Sequence, residues 1–190
     1  VFHTTLLTFM VISYLAVAAA SLIGALVAKR AGIAPLSTAL GAAFAFSFLE
    51  ATDVAVVKQY LGFSAFYPGH APVAVILFAM PAKTATATAF AVLGGHVLVT
   101  LTGLIQLTLL PASFAFATKI VTVTLGIFAM KAADAVHPPA CAFALAFVGG
   151  NKSAVDAVGP LIGCAVLIVC QRVWLALPDA AKAAPAKKVM

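Results

Sequence analysis

Five runs of about twenty apolar residues, each stopped by a charge, a proline or a polar cluster, constrain this chain more tightly than any other feature. An α-helix rises about 1.5 Å per residue, so roughly twenty residues cross the hydrocarbon layer of a bilayer. Inside lipid every backbone N–H and C=O needs a partner within the protein, which leaves helices and closed barrels as spanning structures. The runs lack the alternating period of barrel strands, so helices follow. With 64% hydrophobic and 8% charged residues, the composition excludes an ordinary soluble domain. The expected fold is all-α: a polytopic transmembrane helical bundle of about five spans, forming a single membrane domain over residues 1–190.

The expected spans are 5–28, 36–57, 86–110, 117–136 and 154–177. The first stops at Lys29-Arg30. The second is interrupted by Glu50 and Asp53 and closed by Lys58 and Gln59, the third ends at Pro111, and the fourth carries Lys131 and Asp134 near its exit. The remainder, 178–190, is a polar tail. Two apolar stretches are too short to cross. One lies between Pro72 and Pro81 and reads either as a re-entrant segment or as a surface loop; the other is "ACAFALAFVGG" after the proline pair at Pro138-Pro139.

A net charge of +6 with basic residues near the expected membrane boundaries suits anionic head groups, topology control or an anionic solute, not nucleic acid. Five crossings place the 29–36 linker, the turn near Lys119 and the C-terminal tail on one side, with Lys58, Lys83 and Lys152 opposite. The positive-inside tendency then puts the C-terminus in the cytoplasm or its organellar equivalent. Cys141, Cys164 and Cys170 show no CxxC spacing and read as small buried hydrophobes. No HExxH, GxSxG, paired-aspartate or cofactor-binding signature is present, so neither an enzyme nor a bound metal or cofactor is expected. The start at Val1 suggests a removed presequence or a longer parent chain, with the first run retained as a span.

The ionisable groups carry the functional expectation. Glu50, Asp53, His70, Lys83, His96, Lys131, Asp134 and His137 all fall towards one membrane face on the five-span reading. Charges within a bilayer are costly and usually face a bundle interior or a water-filled path. A helix continuing to the prolines would stack Lys131, Asp134 and His137 at i, i+3 and i+6, pairing the first two. The plain alternative is an interfacial pair that snorkels to water. His96 follows Gly94 and Gly95, which permit close helix approach, and is either a functional imidazole or a satisfied structural one. Pro138 and Pro139 push His137 out of the helical region and stop the helix.

"DAVHPPACAFALAFVGG" resembles the signature of the HPP family of integral membrane proteins, named for the tripeptide that here is His137-Pro138-Pro139. Upstream, Phe78 and Pro81 followed by Gly94-Gly95-His96 resemble a second family block, and the likeness covers roughly residues 35–177. It implies four family spans plus an additional N-terminal helix. It also implies nitrite transport, as associated with plastid and cyanobacterial members, and hence a plastid or other organellar membrane. The expected function is a transporter or channel for a small anion such as nitrite, with His96, His137, Lys131, Asp134, Lys83, Glu50 and Asp53 along the substrate pathway. "AKTATATAFAV" lacks the polar groups usual between the family's blocks, which favours the alternative of an accessory transmembrane subunit of a larger complex. The expected partners are the lipid bilayer, a nitrite-like anion, and either further copies of the chain or a larger membrane complex.

Overall fold

Apolar runs bounded by charges and prolines fold as helices wherever they are long enough to bury their own backbone polar groups. A computed structural model describes residues 2–80, 84–150 and 155–179, and every regular element among them is helical. Five helices are long and apolar enough to cross a membrane: Thr5–Arg30, Ala34–Leu61, Ala89–Leu109, Ala115–Ala132 and Val155–Ala176. Two shorter apolar helices, His70–Ala79 and Pro138–Gly149, occupy the segments that are too short to cross. In chain order we label them α1 (Phe2–Arg30), α2 (Ala34–Leu61), α3 (His70–Ala79), α4 (Ala89–Leu109), α5 (Ala115–Ala132), α6 (Pro138–Gly149) and α7 (Val158–Ala176).

The two short helices set the architecture. α3 runs alongside α7 in the same direction, because His70 at its start meets Pro160 and Gly163 while Leu77 and Phe78 meet Gln171 and Trp174. α6 runs alongside α4 in the same way, from His137 beside Gly95 to Val148 beside Gly103. Both begin inside the bundle after a largely non-helical leader, residues 62–69 and 133–137, and run to opposite ends of it. α3 finishes at the end where Trp174 bonds to Ser37, whereas α6 finishes where Gly149 meets Lys119. The segment between Pro72 and Pro81 is therefore neither a surface loop nor a re-entrant hairpin: it is a half-buried helix that, with its leader, completes a crossing.

This changes the sidedness expected from five crossings. Each leader with its short helix carries the chain across once more, so the turn before Lys119 lies opposite the 29–36 linker. Glu50 and Asp53, near the Ser64–Gly159 contact, lie at the end opposite Lys131 and Asp134. The eight ionisable groups do not share one face. Lys29, Arg30 and Lys131 lie at the end where α7 finishes, and Lys58 and Lys119 at the other.

α2–α3–α4 and α5–α6–α7 are two units of the same long–short–long order, traversed in opposite directions. The packing follows: α2 lies on α7 as α5 lies on α4, α3 lies on α7 as α6 lies on α4, and α4–α7 and α3–α6 meet at the centre. α1 packs on α2 outside this pairing. Inverted units of this kind, with broken helices meeting near mid-membrane, recur in transporters.

Without a hydrophobic drive between helices in lipid, small residues allow the close contacts. A Cβ at Gly126 of α5 would lie 2.7 Å from Val99 of α4, and one at Gly41 of α2 would lie 2.7 Å from Trp174 of α7.

α5 also stops sooner than expected. Ala135 N–H donates to Met130 C=O at 2.9 Å and Asp134 takes a left-handed φ of 53°, the closure of a Schellman-type cap. The helix does not continue to the prolines. Lys131 and Asp134 remain exposed and form no ion pair with each other or with another of the described residues, while the chain turns His137 into the core.

Candidate functional site

Pro138 and Pro139 occupy the first turn of α6, where a missing N–H costs little, and they hold His137 extended at φ −138°, ψ 96°. That backbone delivers the His137 ring to the centre of the molecule, 0% exposed. Its Nδ1–H donates to Thr86 C=O at 2.9 Å, since a carbonyl only accepts. Its Nε2, buried and without a partner, is then a bare acceptor.

His96 on α4 is its neighbour, with ring centroids 5.3 Å apart. Its Nδ1–H donates to Val92 C=O at 2.8 Å, one helical turn back, which leaves Nε2 as the acceptor. Cys164 Sγ of α7 lies 3.7 Å from both ring nitrogens, and Phe143 of α6 closes another side at 5.9 Å. Gly95 is required here: a Cβ would sit 2.9 Å from His137 Cβ and 3.1 Å from Ala135 C=O.

His70 completes the group from the start of α3. Tyr67 N–H donates to its Nδ1 at 3.1 Å, so Nε2–H donates to Pro160 C=O, also at 3.1 Å. Gly163 gives it room, since a Cβ there would collide with the His70 ring and with Ala65 C=O.

The centre therefore combines neutral imidazoles, His137 with an acceptor nitrogen left over and His96 with its acceptor beside the weak Cys164 S–H donor, apolar walls, and the positive end of the α6 dipole. The prolines strip that end of N–H donors. The arrangement accepts hydrogen bonds and favours negative charge nearby, and it is enclosed. Clefts of about 340 Å³ by Lys29, Ser37 and Trp174 and about 420 Å³ by Phe116 and Lys119 lie elsewhere and include no histidine. No group of three His, Cys, Asp or Glu side chains is placed to hold a metal among the described residues.

The other expected pathway residues are dispersed. Asp53 is buried and anchors a loop, accepting from Ser64 Oγ at 2.8 Å, from Ala65 N–H and from Lys58 Nζ at 2.7 Å. Glu50, one turn earlier, keeps Oε2 buried without a partner. Lys83 and Pro81 lie outside the described residues. Gly94 packs towards Ala135, and Phe78 packs on Trp174 at 5.4 Å.

The sequence reading left His70 and Cys164 out of the pathway. Their signal was internal repetition: His70-Ala71-Pro72 echoes His137-Pro138-Pro139, and Gly163-Cys164 occupies the place on α7 that Gly95-His96 occupies on α4.

The family model described as the HPP, transmembrane region matches residues 36–183. That match begins at α2 and covers both inverted units, leaving α1 outside. No curated protein and no solved structure gives a significant match.

Proposed function

This chain belongs to the HPP transmembrane family, and on that footing we propose that it is a transporter or channel for a small anion such as nitrite. The observation that carries the reading is the buried centre where His137 starts α6 beside His96, with an unpartnered Nε2 and apolar walls. A buried ionisable group in a membrane bundle is expensive, and two inverted units meeting there match the arrangement in which transporters hold their solute. The positive end of α6 favours a negative ligand, and the basic residues at both ends of the bundle draw anions to it. His96 and His137 contact the solute, and Lys131, exposed at one end of the bundle, draws it in. The reading is one of passage, not catalysis. A plastid or other organellar membrane is the host that the family resemblance implies.

The test is flux in proteoliposomes with nitrite, nitrate and formate. His96→Ala and His137→Ala are each expected to lower flux at least tenfold; wild-type rates in both would remove these residues from the path. A second reading rests on α1, which lies outside the matched region and packs mainly on α2 with its other faces open. It would make the chain an accessory subunit, docked through α1. Co-migration with a large complex after mild solubilisation, together with no flux, would favour it.

A further inference from the structure

His96 and His137 each spend their one hydrogen on the main chain. His137 donates through Nδ1 to Thr86 and His96 through Nδ1 to Val92, so each neutral ring presents a lone pair at Nε2, that of His96 beside the Cys164 thiol and that of His137 unpartnered. Pro138 and Pro139 have no N–H to offer, and Ala140 N–H is taken by His137 C=O at 3.0 Å. A bare anion arriving there meets acceptors and almost no donors. A ligand that brings a proton meets a complementary site: the orphaned Nε2 takes the hydrogen, and the negative oxygen is left near the positive end of α6.

We propose that the central site takes the anion of a weak oxyacid together with one proton, with His137 Nε2 as the proton's acceptor, so that transport is electroneutral. This rests on the anion-transport reading above. In the step, the acid O–H donates to Nε2. Transfer breaks O–H and forms Nε2–H, giving an imidazolium paired with the anion, and release returns the proton to the departing anion or to water. No oxidant or further reactant is needed. The titratable group packed on His137 is His96 on α4, which in turn meets the Cys164 thiol of α7 and feels His70 on α3. Lys131 and Asp134, on α5 and in the turn after it, are exposed at the bundle end.

The experiment uses the full chain in proteoliposomes holding a pH-sensitive dye, with protein-free vesicles as baseline for unassisted acid leakage. Nitrite and formate are compared with nitrate and chloride, each with and without an imposed membrane potential. The expected result is nitrite and formate uptake with one proton per anion, faster as external pH falls from 7.5 to 5.5. It should be insensitive to potential and at least tenfold faster than nitrate. His137→Gln keeps an amide N–H for Thr86 but loses the base, and is expected to reduce coupled uptake to baseline. If that variant does not fold, the wild-type stoichiometry decides alone. Potential-driven nitrate and nitrite flux at similar rates without acidification overturns the proton step while leaving anion transport standing. Absence of flux for all four anions overturns both.

Discussion

In the unit α2–α3–α4 the histidine that opens the short helix is held at both nitrogens, whereas in α5–α6–α7 its counterpart is held at one. The rest of the contrast follows the same line. The leader to α3 is pinned by buried Asp53 and pressed against Gly159 and Gly163, while the leader to α6 turns through an exposed Lys131 and Asp134. One plan, used twice in opposite senses, has produced a fixed half and a half with a free acceptor. The difference shows that the second histidine's unmet valence is not forced by the architecture, because the first satisfies the same position fully.

The largest expected effect tests the pinned leader to α3 through the two α7 glycines it packs against. A Cβ at Gly159 would collide with Ser64 C=O and one at Gly163 with Ala65 C=O and the His70 ring, and main-chain atoms cannot swing aside. Gly159→Ala and Gly163→Ala are each expected to cost about 3 kcal/mol or more, the upper range of overpacking. Gly95→Ala, whose neighbours stand off at 2.9 and 3.1 Å, should cost about 1–2 kcal/mol. Unfolding in detergent, followed by the single Trp174, measures all three; equal losses would end the claim that the halves differ in tightness.

Next comes the histidine pair itself. His70→Ala strands Tyr67 N–H and Pro160 C=O and leaves a cavity, for about 2–3 kcal/mol of lost stability. His137→Ala leaves a like cavity but strands only Thr86 C=O and removes the unpartnered Nε2, so it should cost about 1 kcal/mol less than His70→Ala, yet should lower anion flux at least tenfold. The split between stability and flux is what matters: a larger stability loss at His137 than at His70 would reverse the assignment.

Much of this was legible in the residues. The five long helices follow from run length, and His137 and His96 are exposed to view by glycines and prolines that have no other use at those points. Two things were hidden. Lys131, Asp134 and His137 suit one helix stripe, and only the cap bond from Ala135 to Met130 shows that the helix stops before it can form. The short apolar runs could not be assigned a direction from length alone, so Glu50 and Asp53 were put on the wrong side. The repeated His-x-Pro held that information, but two tripeptides in 190 residues become a repeat only when packing pairs them.

The anchors of the two leaders give a smaller contrast. Asp53→Ala removes the acceptor for Ser64, Ala65 and Lys58; because the Lys58 side chain is half exposed and remains solvated, the cost should be about 2 kcal/mol, below that of a fully buried pair. Asp134 has no such partners, so removing its carboxylate should leave flux unchanged.

The smallest effect has the opposite sign. Asp134 holds a φ of 53° where α5 caps, a conformation that glycine adopts without the steric cost borne by a side chain. Asp134→Gly relieves that strain but frees the unfolded chain, and the balance should favour the folded state by about 0.5 kcal/mol. A rise in the unfolding midpoint with unchanged nitrite flux would show that the leader to α6 is held by backbone geometry alone. A fall in flux would instead give the exposed carboxylate a part in solute entry, and the looser half would then be functional from its surface to His137.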